Sequence, residues 1–114
     1  MQGASDEITR RLLEWEGVTS APHRFGGIEF RVGRRELGHL HGDRIADIPF
    51  TRRERDELIA AGRVREHHVL PHSGWATKSL ETTADVADTI ALLRTRYERA
   101  RSKQAPAPAE NETA

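Results

Sequence analysis

The stretch from Ile28 to His41 constrains this chain more than any other. Ile28-Glu29-Phe30-Arg31-Val32 alternates apolar and charged side chains, the pattern of a strand buried on one face. Gly33-Arg34 then has the glycine-first chemistry of a two-residue type II′ hairpin, and Arg35 to His41 supplies the return strand. With those two residues as the loop, Val32 faces Arg35, Arg31 faces Glu36, Phe30 faces Leu37 and Ile28 faces His39. His39 and His41, two apart on a strand, point the same way. This register predicts that they share the apolar face with Ile28, Phe30 and Leu37. Gly38 and Leu40 would then lie on the other side with Glu29 and Arg31.

The flanking segments build around that hairpin. Ser5 reads as the N-cap of a first helix reaching about Glu16, with Ile8, Leu12 and Trp15 as its buried stripe and Gly17 as its stop. Val18 to Phe25 is extended, and Pro22 makes it an edge or bulged strand because proline cannot donate to a ladder. Gly42-Asp43 turns the chain into a short strand from Arg44 to Phe50. Thr51-Arg52-Arg53-Glu54 fits a capping box opening a second helix, with Leu58 and Ile59 apolar and Gly62 just past its end. Val64 to Leu70 reads as a strand in which His67 and His68 face opposite ways. Pro71-His72-Ser73-Gly74 then turns into a strand from Trp75 to Leu80. Thr83 caps a last helix, carried to about Lys103 by a stripe of Val86, Ile90, Leu93 and Tyr97. The expected fold is α+β: an antiparallel sheet of five to six strands with three helices packed against it, in one domain over 1–103. Residues 104–114, rich in Ala, Pro and Glu, read as a disordered tail.

Composition narrows the function classes. The chain has no cysteine, which excludes disulfides and thiolate metal sites and leaves His, Asp and Glu as ligands. No apolar run approaches the roughly 18 residues of a membrane span. Met1-Gln2-Gly3-Ala4-Ser5-Asp6-Glu7 lacks the basic and apolar regions of a signal peptide, so a cytoplasmic location without a membrane partner is expected. Basic and acidic residues balance at 18 each. That removes the net pull expected of a dedicated nucleic-acid binder. Arg52, Arg53 and Arg55 crowd the start of the second helix, with Arg31, Arg34, Arg35 and Arg44 upstream. Glu36, Asp43, Asp47, Glu54, Asp56 and Glu57 are interleaved among them, the composition of a solvated mixed-charge face. A nucleic-acid- or protein-binding module using that helix start is the alternative function, and a purely structural domain is a third.

Chemistry concentrates in the histidines. Neutral imidazole is the commonest side-chain metal ligand, and His39 and His41 offer two from one face. His68 or His72, with Glu36 or Asp43, would complete a set for a divalent metal. The same residues suit acid–base work, because desolvation at the edge of an apolar pocket favours the neutral base. His39, His41 and His68 are therefore the catalytic as well as the metal candidates. Arg24 and Arg31 are possible anion anchors for a small-molecule ligand, with Asp43 beside them and Trp75 as a stacking surface. The plainer account makes His39 and His41 partly buried polar residues bonded within the fold and Trp75 a core residue. Gly26-Gly27 is too sparse for a phosphate loop, and Ser73 in Ser-Gly-Trp is turn chemistry, not a nucleophile elbow.

From Phe25 to Asp43 the chain resembles the small bacterial proteins of the luciferase-like domain family. The likeness continues through Arg55-Asp-Glu-Leu, His67-His-Val-Leu-Pro71, Ser73-Gly-Trp75 and Arg96-Tyr-Glu-Arg99. It marks His39, His41, Asp43, His68 and Trp75 as residues of the family's pattern without giving them roles. The family takes its name from fungal luciferase, which oxidises a pyrone-type substrate with oxygen, but a shared fold does not carry activity with it. More distantly, the layout is similar to that of the MmcQ/YjbR-like proteins, for which DNA binding has been proposed.

Overall fold

A computed structural model describes residues 1–104. The tail expected beyond Lys103 lies outside the described residues, except for Gln104, which ends the last helix. The described chain runs α1 (Ala4–Leu12), β1 (Val18–His23), β2 (Gly27–Val32), β3 (Arg35–His41), β4 (Ile45–Pro49), α2 (Arg52–Ala60), β5 (Arg65–Glu66), β6 (Trp75–Ser79) and α3 (Thr83–Gln104), with a single 3-10 turn at Arg24–Gly26 between β1 and β2. All strand pairings are antiparallel, in one six-stranded sheet of order β1-β2-β3-β4-β6-β5. The fold is therefore α+β with three helices, and β1, with Pro22, lies at an edge.

The long helix α3 lies across the sheet and buries Val86, Ile90, Leu93 and Tyr97, the expected stripe. Against them pack Phe30, Leu37, Leu40, Ala46 and Ile48 from the sheet and Ile8 and Leu12 from α1. The turn after α1 is clamped to α3 where the Tyr97 hydroxyl donates to the Glu16 carbonyl at 2.6 Å and the Arg94 guanidinium lies over both Trp15 and Tyr97. The expected capping box at α2 is present: Glu54 N donates to Thr51 Oγ1 and Thr51 N to Glu54 Oε1.

Three expectations about local structure are corrected. Ser5 does not cap α1. The helix starts two residues earlier, at Ala4 with Gly3 as its N-cap, and the Asp43 carboxylate caps it from across the chain, accepting from Gly3 N at 3.0 Å and Ser5 N at 2.8 Å. At α3 the reciprocal cap is Thr82 with Asp85 and not Thr83. The strand expected over 64–70 is only Arg65–Glu66, so His67 onward belongs to a loop.

The consequential correction concerns the hairpin. Val32 does face Arg35 and Arg31 does face Glu36, but the register shifts between Phe30 and Arg31. Leu37 is the extra residue of a β-bulge, so Phe30 faces Gly38, Glu29 faces His39 and Ile28 faces Leu40. The physical reason is burial. The regular register would send His39 and His41 into the core and Leu40 out of it. The bulge instead lets Leu37 and Leu40 both reach the core, at 0% and 1% exposure. His39 and His41 consequently share a face with Glu29 and not with Phe30, on the side of the sheet away from α3.

Gly38 permits this arrangement. Its φ is +156°, and a Cβ there would lie 2.9 Å from the Asp47 carbonyl oxygen and 3.0 Å from Leu93 Cδ2. Gly38→Ala should destabilise the fold by about 1–3 kcal/mol, as overpacking of a close contact does. Chemical denaturation of the two proteins measures it, and equal midpoints would show that α3 does not press on β3 at this point.

Candidate functional site

On the open face, cross-strand pairing sets Glu29, His39, Asp47 and Thr77 in one row across β2, β3, β4 and β6. Asp47 is the centre of that row and is fully buried, at 0% exposure. A carboxylate removed from water must be met by donors. Thr77 Oγ1 donates to Oδ1 at 2.7 Å. Around Oδ2 gather four imidazole nitrogens: Nε2 of His41 at 2.9 Å, of His68 at 3.2 Å, of His67 at 3.3 Å and of His39 at 3.4 Å.

A second ring of groups holds the first. His39 Nδ1 lies 2.7 Å from Glu36 Oε2. The bulge at Leu37 is what brings these two residues, three apart in sequence, to one face. The His23 ring stacks on His39 with centroids 3.9 Å apart, and its Nδ1 meets Glu29 Oε1 at 2.9 Å. Arg31 pairs with the same Glu29. Trp75, half-buried, tilts against His39 and His67 at 5.2 and 6.0 Å. Five of the chain's six histidines thus meet on one patch.

His67 and His68 arrive there because the strand stops before them. In a strand they would face opposite ways, whereas in the loop their rings stack at 4.5 Å and both reach Asp47. The loop is fastened from α2: Arg55 Nη1 donates to the carbonyls of Pro71 and Ser73. Phe50 N donates to the Gly74 carbonyl at 3.0 Å. One arginine of the rich helix start therefore positions the histidine loop.

The sequence-derived candidates divide accordingly. His39, His41 and His68 converge, with Trp75 against His39. Arg31 stands at the rim through Glu29. Arg24 is exposed in the 3-10 turn. Asp43 spends both carboxylate oxygens on the α1 amides and donates nothing to the cluster. Sequence reasoning missed Asp47 as the hub, and with it His23 and His67. The only signal for Asp47 was an acidic residue inside an otherwise apolar strand, Ile45-Ala46-Asp47-Ile48.

The electrostatics follow from the crowding. Burial opposes the Asp47 charge, but the donors His39, Thr77 and His68 outweigh it and hold the carboxyl well below its usual range. Burial would also lower His39, yet its two carboxylate partners, Asp47 and Glu36, raise it to about 9. His67 goes the other way: burial pushes it below its ordinary value. Glu29 is held low by His23 and then Arg31.

In chemical terms the spacing matters most. Ligand atoms bound to one ion at zinc-like bond lengths of 2.0–2.2 Å lie about 2.9–3.5 Å apart. The four N···O separations at Asp47 Oδ2 fall in that range. The candidate ligand atoms of His39, His41 and Asp47 all lie within 4.8 Å of one another, as do those of Asp47, His67 and His68. Convergence of groups marks the site, whereas the groove of about 390 Å³ beside α2 and α3 is lined by Phe50, Leu58 and Leu92 without a histidine.

These shifts fix a pH profile for metal-free protein. His39 is raised, so its stabilising contribution is full below 6.5 and is lost as pH rises through about 9. His67 and Asp47 are depressed, so theirs are present at higher pH and are lost as pH falls below 6.5 and then 3.8. Melting temperature, measured after chelation from pH 4 to 9.5, should peak near 6.5. His39→Gln should remove the alkaline decline. An unchanged alkaline limb in that variant would assign it elsewhere.

A family model, the luciferase domain, matches residues 34–96. No curated protein and no solved structure matches the chain. The likeness to MmcQ/YjbR proteins is not shown by these comparisons. The matched stretch includes β3, β4, β6 and the histidine loop, hence Glu36, His39, His41, Asp47, His67, His68 and Trp75, while His23 and Glu29 precede it. The chain belongs to the luciferase domain family.

Proposed function

We propose that this protein binds one first-row divalent transition metal on the open face of its sheet. The ligands are Nε2 of His39 and His41 and Oδ2 of Asp47, which group within 4.8 Å of one another, and His68, whose Nε2 lies 3.2 Å from the same oxygen outside that group and moves in as the fourth when the ion binds. The observation that carries the reading is the approach of these nitrogens to a single buried carboxylate oxygen at the separations of a coordination shell. An imidazole-rich set with one carboxylate suits zinc, iron, nickel or copper better than magnesium or calcium. Glu36 supplies the outer support usual for a metal-bound histidine: it accepts from His39 Nδ1–H and so leaves Nε2 for the ion.

The flank bearing His68 is open, since the His68 side chain is 46% exposed and that of His41 28%. An oxygen-donor small molecule can approach from this side, with the His41 and His67 rings on either side of His68. When bound, the metal would polarise such a ligand as a Lewis acid. The chain's own part is to orient three imidazoles, keep Asp47 charged and hold proton-carrying groups at the rim.

A metal-free reading is favoured by one specific observation. His39 sits between two carboxylates with its pKa raised to about 9, the arrangement of a proton donor to an organic anion. One experiment separates the two readings. Chelated protein is titrated calorimetrically with Zn²⁺ and Co²⁺, alongside Asp47→Asn and the His39→Ala/His41→Ala double variant. One equivalent should bind the native chain, and each variant should lose at least about a hundredfold in affinity. Glu36→Gln should lose about 10–100-fold, the usual effect of removing outer-shell support. Equal binding by native chain and variants would discard the metal reading in favour of the proton-donor one.

A further inference from the structure

Of the four imidazoles around Asp47, one is held differently. His67 Nδ1 accepts from two backbone amides, Val69 N at 3.1 Å and Leu70 N at 3.0 Å. Amide N–H groups only donate, so Nδ1 must present its lone pair to them and cannot carry a proton. The neutral ring then has its single proton on Nε2, the nitrogen 3.3 Å from Asp47 Oδ2. A protonated Nε2 has no lone pair to give to a metal. To ligate, His67 would have to give up both hydrogen bonds from the Val69 and Leu70 amides or become an imidazolate.

We infer that His67 is a positioning residue and not a ligand: it fixes the Asp47 carboxylate while His39, His41 and His68 take the ion. This rests on the metal reading of the site for the roles of the other three, but the tautomer itself does not. Asp47 is then flanked on two sides, by the Thr77 hydroxyl that donates to Oδ1 and by the His67 Nε2 that lies 3.3 Å from Oδ2. The ligating nitrogens gather at Oδ2 while Thr77 occupies Oδ1, so the carboxylate meets the ion through Oδ2. Three imidazoles and one monodentate carboxylate make four protein ligands, and further ligands enter from the open His68 flank. His67 is also 8% exposed, far more enclosed than its neighbour His68, as befits a group that holds and does not exchange.

The geometry joins the loop to the centre. The two amides that His67 satisfies belong to the loop's own next residues, and Arg55 fastens the far end of the same loop. The ring therefore serves at once as the loop's internal cap and as the brace for Asp47. Adjacent histidines in one sequence pair thus have different work: His67 faces inward with both nitrogens committed, and His68 stays available.

The test is imidazole nitrogen spectroscopy on the ¹⁵N-labelled full chain, chelated and then with one equivalent of Zn²⁺, at a single pH. His67 should show an unprotonated Nδ1 and a protonated Nε2 in both samples. Nε2 of His39, His41 and His68 should move to the metal-bound position. Two variants complete it. His67→Gln places an N–H near the Nε2 position and should keep one equivalent of Co²⁺ with an unchanged visible absorption band and at most about tenfold weaker binding. His67→Asn removes the donor to Asp47 and should bind about 10–100-fold more weakly with the same band, as expected of a lost outer-shell partner. A His67 that loses its Nε2 proton on zinc addition, or a cobalt band that changes in His67→Gln, overturns the positioning role. Zinc that fails to bind the native chain overturns the metal reading, while the chelated spectrum still reports the tautomer on its own.

Discussion

A carboxylate with no contact with water, placed in the middle of a central strand, is the constraint on which the rest of this structure depends. Asp47 sits between His39 on β3 and Thr77 on β6, with fixed cross-strand neighbours on both sides. Each neighbour is a donor, and each remaining direction is filled by an imidazole from the strand end or the loop. Removing donors from such a group leaves an uncompensated buried charge, among the most damaging changes a fold can suffer. The surrounding elements therefore cannot drift independently. The β3–β4 register, the ending of β5 after Glu66 and the anchoring of the loop by Arg55 all serve the same oxygen pair.

The bulge at Leu37 is the second constraint, and it links core to site. One extra residue in β3 lets Leu37 and Leu40 enter the core while His39 and His41 turn to the open face. It also makes Glu36 and His39 same-face neighbours, which a regular strand forbids at a spacing of three. The hydrophobic requirement of α3 and the polar requirement of Asp47 are met by one irregularity. Gly38 beside it has no side chain to keep Leu93 away, so α3 rests directly on the strand that carries the histidines.

Much of this was legible from residue order. The fold class, the capping box at Thr51, the α3 stripe, the edge placement of the Pro22 strand and the shared face of His39 and His41 all follow from local pattern. What was not legible depends on single-residue shifts and on distance in the chain. The hairpin loop fixes register only as far as the first bulge, and nothing local announces that Leu37 is the extra residue. His67 and His68 face apart if the strand continues and together if it stops, and the difference of a few residues in β5 decides a site. Asp43 looked like a ligand because it follows His-Gly, but its partners are amides some forty residues earlier, visible only once α1 is docked.

Stability alone is a poor account of the cluster. Replacing a buried ionic group with well-packed apolar residues of similar volume is often neutral or stabilising by about 1–4 kcal/mol, because desolvation consumes the Coulombic gain. A fold needing only cohesion could put an aliphatic side chain at position 47, between Ala46 and Ile48, and finish the sheet. This chain instead buries a carboxylate and surrounds one of its oxygens with four imidazole nitrogens. It then holds the His39 ring with a second carboxylate and stacks a further histidine on it. The two ends of the cluster also differ. His67 has both nitrogens engaged within the fold, whereas His68 reaches the same oxygen from a half-exposed position. A purely structural network has no need of that asymmetry. The metal centre proposed for this face, held on one side and open to a ligand on the other, does.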